Sequence, residues 1–209
     1  MPMARHITIK VETWPLKQRF AIARGSKIDA EVICVEIEEN GIIGRGEAVP
    51  YARFGETMET ASGAIEALLP ALQAGLSREE LAQALLPGAA RNALDCALWD
   101  LAAKQSGERA YISAGLDALK PVTTAFTIGL DDADRMAIMA VKAQAYQLLK
   151  LKLGGADGVM ADLSRLAAVA EARPDAQLVV DANEGWQLSE LARYAEPLGR
   201  YGVLFFEQP

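Results

Sequence analysis

LLKLKL at 148–153, QLVVDAN at 177–183 and VLFFEQP at 203–209 are the stretches that decide how this chain folds. Each is a short apolar run that closes on polar residues: Lys150 and Lys152, then Asp181 and Asn183, then Glu207. The runs recur roughly every 26 to 30 residues with helix-like sequence between them, the rhythm of strand–helix–strand units in a parallel sheet. Two lysines and two carboxylates therefore arrive at the same end of consecutive strands. In a β/α barrel, active sites are built at that end.

Working outward, PVTTAFTI reads as a preceding strand, and DDADRMAIMAVKAQAYQ, DGVMADLSRLAAVAEARP and WQLSELARYAEPLGRYG read as the intervening helices. The part before Gly115 has a different pattern. HITIKVETWPL and DAEVICVEIEENGIIGRGEA read as β-rich arms, with a hairpin turn at Asn40-Gly41. Helical sequence starts near Thr57, and Ser77 and Glu80 have capping-box spacing. AARNALDCALWDLAAK places Ala93, Leu94, Ala97, Leu98 and Leu101 at helical spacing, with Ala90, Ala102 and Ala103 small enough for close packing. The expectation is a helix buried on most sides. The fold class expected is an α+β N-terminal capping domain over 1–115, followed over 116–209 by the first four βα strands of a TIM-type barrel. Four strands do not close a barrel, which needs eight, so the chain is expected to be truncated.

Net charge is −7 and 51% of the 209 residues are hydrophobic. That balance argues against nucleic acid or an anionic membrane surface as partner. No apolar run approaches the roughly 20 residues of a membrane span, and MPMARHITIKVETWP has no signal-peptide core. Cys34 and Cys96 read as small core residues of a reducing, cytoplasmic protein. The one histidine, His6, leaves acid–base chemistry to Lys, Asp, Glu, Tyr or Cys. No Gly-x-Gly-x-x-Gly or phosphate loop follows any strand, which argues against a nucleotide-binding sheet.

Lys150 and Lys152, two apart on a strand, project from one face. Two lysines on an inner face are costly to desolvate unless a site uses them, and neighbouring ammonium groups lower one another's pKa, as suits a general base. The alternative is a solvent-facing strand surface. Asp181-Ala-Asn183 is also ordinary turn chemistry, and Glu207 closes an unusually apolar strand. Asp181 and Glu207 together offer the hard oxygen ligands that Mg²⁺ takes. A lysine base beside such a cation suits removal of the weakly acidic α-proton of a carboxylate, giving an enediolate.

This constellation resembles the enolase superfamily, and within it the muconate lactonizing subgroup with its Lys-x-Lys motif on the second barrel strand. Ala90 to Lys104, with Asp95, Ala97 and Asp100, is similar to the family's helical signature. Leu178 through Asp181 to Glu207-Gln-Pro209 matches a second signature in spacing, with Phe206 standing where a smaller aliphatic residue is usual. Trp14-Pro-Leu16, Ile22 to Ser26, Pro50-Tyr51, Phe54-Gly-Glu56 and Gly88 to Asn92 make the chain most similar to epimerases of L-Ala-D/L-Glu dipeptides, which act in murein-peptide recycling. The resemblance implies Lys152 as α-proton base, Lys150 as its electrostatic neighbour and Asp181 and Glu207 as two of three Mg²⁺ ligands. It also implies Arg24, in the loop between early strands, on the substrate's glutamyl carboxylate, and Thr127 lining the pocket. The third metal-binding acid, the opposing lysine and an Asp-x-Asp pair for the dipeptide ammonium are implied on later strands, so 1–209 alone is expected not to epimerise. o-Succinylbenzoate synthases, N-acylamino acid racemases and muconate cycloisomerases share the scheme and remain open, as do a non-catalytic fragment and a homo-oligomer.

Overall fold

The computed structural model describes residues 5–209; the first four residues, where the signal-peptide reading begins, lie outside them. The chain forms two compact units, one made of the chain up to Pro15 with Asp29–Lys120, the other of Leu16–Ile28 with Pro121–Pro209.

β1 (His6–Ile22), β2 (Gly25–Glu39) and β3 (Ile42–Ala48) form a three-stranded sheet in that order; the first unit holds β3, β1 up to Pro15 and β2 from Asp29, and the remaining ends of β1 and β2 belong to the second. β2 and β3 run antiparallel, with Glu39 opposite Ile42. Between them Asn40 and Gly41 both take positive φ, 54° and 79°, the backbone a two-residue hairpin turn of matching twist requires. After a 3₁₀ turn at Ala52–Phe54 come α1 (Met58–Ala67), α2 (Leu69–Gln73), α3 (Arg78–Ala84), α4 (Ala89–Ser106) and α5 (Ala110–Ser113). The Ser77–Glu80 capping box forms as expected and starts α3; a second box, Thr57 with Thr60, starts α1.

Helix α4 lies on β3 through a glycine–alanine contact. A Cβ on Gly46 would stand 1.9 Å from the Ala93 carbonyl oxygen, and one on Gly44 2.2 Å from that of Ala97. The helix is buried along one stripe only (Ala89, Ala90, Ala93, Leu94, Ala97, Leu98, Leu101), while Asn92, Cys96 and Ala102 are exposed. Its close packing therefore runs through Ala93 and Ala97, not Ala102 and Ala103, which corrects the expectation of burial on most sides. The cysteines are corrected too: both are free, Cys34 half-buried and Cys96 exposed, because each occupies the polar side of its element.

The second unit is a parallel sheet of β4 (Ala125–Ile128), β5 (Leu148–Lys152), β6 (Gln177–Asp181) and β7 (Val203–Glu207), side by side in chain order. The crossovers are α6 (Ala133–Lys142), α7 (Val159–Ala172) and α8 (Leu191–Arg200). The first strand keeps only AFTI of the expected PVTTAFTI. Consecutive parallel neighbours are the topology of a barrel's opening strands. Leu149, Leu151, Leu153 and Val180 are fully buried with Met136, Ala140, Leu166 and Val169, each aliphatic side chain contributing about 1.5–3 kcal/mol. The carbonyls at the end of α6 are satisfied by a distant side chain. Arg173 donates to the oxygens of Ala140 and Ala143, both at 3.1 Å, and of Tyr146 at 3.0 Å.

Candidate functional site

The parallel register puts Lys152 opposite Asp181 and Asp181 opposite Glu207. Three candidate side chains from three strands thus form one row at the carboxyl ends of β5, β6 and β7. Because strand side chains alternate, Leu149 and Leu151 of β5 enter the core while Lys150 and Lys152 share the other face. That face is not open solvent: the Lys152 and Asp181 side chains are 11% and 2% exposed, and Lys150 is 25% exposed.

The Lys152 ammonium donates to Asp181 Oδ2 at 2.5 Å. Lys150 Nζ lies 3.1 Å from the same oxygen and also donates to Glu207 Oε1. Burial by itself would pull the Lys150 pKa down. Its hydrogen bonds to Glu207 and Asp181, and their negative charge, outweigh that, and the pKa is raised. The expectation that the two lysines depress one another is thereby corrected for Lys150, since carboxylates stand closer to it than any cation effect can offset. Burial likewise opposes ionisation of Asp181. Hydrogen bonds with the Glu207 carboxyl, then from Lys152, the Asn183 amide at 2.9 Å and Lys150, prevail and hold its carboxyl well below the usual carboxylate range.

Asn183 sits just beyond, buried and at φ 49°. Its Nδ2 donates to Gln208 Oε1 at 3.0 Å, and its Oδ1 is buried with no hydrogen-bond partner. Arg24, in the turn between β1 and β2, donates from Nη1 to the Asn183 carbonyl at 2.6 Å and lies 3.9 Å from Glu184. Thr127 is half-buried in β4, in register with Lys150. All six residues singled out from sequence (Arg24, Thr127, Lys150, Lys152, Asp181 and Glu207) thus belong to the second unit and stand on, or beside, the carboxyl ends of its strands.

In donor chemistry the site fits a hard divalent cation. Two carboxylates on adjacent strands face one another, an ammonium group touches both, and an amide oxygen is left without a partner. Among the described residues no group of three His, Cys, Asp or Glu gathers as a metal site, so Asp181 and Glu207 would form part of a ligand set.

Sequence reasoning missed Asp162, Arg165, Trp186 and Tyr194, which form a buried polar cluster behind the row. One signal was available: Asp162 falls on the apolar stripe of α7, between Val159, Leu166 and Val169. The signature acids of α4 have structural partners. Asp95 takes a bidentate pair from Arg78 at 2.8 and 3.2 Å. Asp100 accepts from the Arg45 amide and from Lys104.

Residues 4–110 match the family model described as mandelate racemase / muconate lactonizing enzyme, N-terminal domain, and residues 132–209 match that described as enolase C-terminal domain-like. An L-Ala-D/L-Glu epimerase of Escherichia coli is 44% identical over 97% of this chain and 63% of its own length. Among solved structures, an enolase family member of Agrobacterium tumefaciens with homology to dipeptide epimerases, holding sodium and L-Ala-L-Glu, is 41% identical. It superposes with a TM-score of 0.92 over 98% of this chain and 62% of its own. A dipeptide epimerase of Enterococcus faecalis complexed with Mg and L-Leu-L-Tyr is 29% identical, with a TM-score of 0.87 over 100% of this chain and 61% of its own. The chain thus spans a little over three-fifths of the length of these relatives. With both family models matched, and with Lys-x-Lys, Asp181 and Glu207 aligned across successive parallel strands, the chain belongs to the enolase superfamily, in its mandelate racemase / muconate lactonizing enzyme group.

Proposed function

We propose that this chain carries one half-site of a dipeptide epimerase acting on the α-carbon of L-Ala-D/L-Glu-type substrates, in the recycling of peptidoglycan peptides in the cytoplasm. The observation that carries the reading is the row Lys152–Asp181–Glu207, in which a buried amine stands 2.5 Å from a carboxylate on the next strand. Lys152 takes the α-proton on one face of the substrate carbon. Lys150 holds positive charge beside it and orients both carboxylates. Asp181 and Glu207 hold Mg²⁺, which when bound stabilises negative charge developing on the substrate carboxylate. Arg24, which donates to the Asn183 carbonyl, would take the substrate's distal carboxylate, and Thr127, in register with Lys150, would line the pocket. The E. coli relative's name and the L-Ala-L-Glu in the A. tumefaciens structure support the substrate class. The Mg in the E. faecalis structure supports the metal.

A 1,1-proton transfer needs groups on both faces of the α-carbon, so 1–209 alone is expected to leave L-Ala-D-Glu unepimerised in the presence of Mg²⁺. The decisive protein is a chimaera in which 1–209 is continued by the remaining segment of the E. coli relative. Incubated in D₂O with Mg²⁺ and followed by NMR, it should exchange the α-proton of the Glu residue of L-Ala-L-Glu for deuterium and invert the configuration at that carbon. Exchange of N-succinyl amino acids with inert dipeptides would instead sink the dipeptide assignment. Turnover by 1–209 alone would sink the half-site reading.

A further inference from the structure

Asp162 lies in the first turn of α7 and has no solvent exposure. Its carboxylate accepts from four donors: the Gly154 amide at 2.8 Å, the Trp186 indole N–H at 2.8 Å, the Tyr194 hydroxyl at 3.2 Å and the Arg165 guanidinium at 3.0 Å. Two of these donors come from different strand ends. Gly154 lies just beyond Lys152 on the turn leaving β5, and Trp186 lies on the loop leaving β6 beyond Asp181.

The two turns also touch directly. A Cβ on Gly154 would stand 2.3 Å from the Ala182 oxygen, and one on Gly185 2.4 Å from the Gly154 oxygen. The Leu153 amide donates to the Asp181 carbonyl at 3.0 Å. Trp186 is stacked on Tyr194 with ring centroids 3.8 Å apart, so the indole cannot swing away from the carboxylate without breaking that stack. Arg165 balances the buried charge and is itself held by the Asp157 carboxylate and the Asp131 carbonyl.

An ion this deep costs several kcal/mol to desolvate, and an apolar residue on the α7 stripe would avoid that cost. What an apolar residue could not do is accept from both strand-end turns at once. We infer that Asp162 is a positioning residue whose carboxylate clasps the turns after β5 and β6, and so fixes the amine of Lys152 relative to the carboxylate of Asp181, keeping the base and the metal-holding strand end in register. The inference rests on the reading of Lys152 as base. Misplacement of a reacting group by about 1 Å can cost about a hundredfold in rate.

The test compares Asp162→Asn, Trp186→Phe and Gly185→Ala with the parent. Trp186→Phe keeps the ring stack and removes only one donor; Gly185→Ala pushes the turns apart without touching Asp162. In 1–209, amide exchange at Leu153, Gly154 and Asn183 should quicken at least tenfold in each variant, with the amides of β2 and β3 unchanged. In the chimaera, kcat should fall tenfold or more in Trp186→Phe while KM and the melting temperature stay near parental values. A purely structural role would instead lower melting temperature and folded fraction and leave kcat per folded molecule intact. Trp186→Phe with kcat within twofold and unaltered exchange at Gly154 overturns the inference, and it decides the matter if Asp162→Asn does not fold. A parental chimaera inert towards every dipeptide overturns the functional reading instead, and the exchange rates then still decide whether Asp162 holds the two turns together.

Discussion

The two units handle charge in opposite ways. In the first, most of the ion pairs described stay at the rim: Arg78 with Asp95, Lys104 with Asp100 and Arg45 with Glu36 keep side chains 30% or more exposed, while Arg5 with Glu39, at 14% and 19%, lies deeper. Its interior is aliphatic, closed by backbone contact between β3 and α4. In the second, Lys152, Asp162, Arg165, Arg173, Asp181 and Asn183 are buried, and these are all the buried polar or charged residues among those described. Exposed pairs contribute at most about 1 kcal/mol, whereas an uncompensated buried ion costs several. Only a network in which nearly every donor and acceptor is matched makes the second arrangement tolerable. The lesson is that steric precision stabilises one unit, and electrostatic precision stabilises and equips the other.

The sharpest way to break the comparison is Lys152→Met in the chimaera. It should lower α-proton exchange by about a thousandfold, within the range of a lost general base, while circular dichroism shows an intact fold. A residual rate above a tenth of the parent would mean that the buried amine is not the base. Next in size is Gly46→Ala, which drives a methyl into the backbone of α4 and should destabilise the first unit by about 3 kcal/mol in urea denaturation. A neutral result would remove the steric half of the contrast.

Acid should discriminate between the units as well. A carboxyl held below its unfolded value near 3.9 contributes stability that is complete above about pH 4 and is lost as pH falls towards its folded value. Asp181 is such a group. Lys150, shifted upward, gives stability that persists below about pH 10.4 and is lost as pH rises through its folded value. The melting temperature of the second unit should therefore decline more steeply between pH 4 and pH 2 in the parent than in Asp181→Asn; parallel curves would contradict this. The smallest effect is expected of Gly63→Ala, within α1, where an added methyl meets nothing within 4 Å. It should stabilise by about 0.4–1 kcal/mol, a gain that contrasts in sign with Gly46→Ala on the same unit.

Much of this organisation was legible in the residues. Period-two and helical runs gave the order of elements, Asn40-Gly41 gave its hairpin, and LLKLKL separated leucine and lysine faces by alternation alone. The row of Lys152, Asp181 and Glu207 followed from strand spacing, because parallel neighbours align their ends. What could not be read depends on contacts distant along the chain. Asp162 shows in sequence only its place on the apolar stripe of α7, and what it holds is unreadable until Trp186 and Tyr194 are seen to converge on it. Likewise, the exposure of Cys96 follows from which stripe of α4 Gly44 and Gly46 select. The direction of the Lys150 shift depends on Glu207, 57 residues later.

Arg173 has a practical consequence for anyone altering this molecule. One guanidinium terminates a helix that ended some thirty positions earlier, so the 143–147 connection cannot be lengthened or cut without unseating three carbonyls together. Affinity tags, reporter grafts and permuted termini therefore belong at other junctions, and a protease should spare this short link despite the partly bare ring of Tyr146.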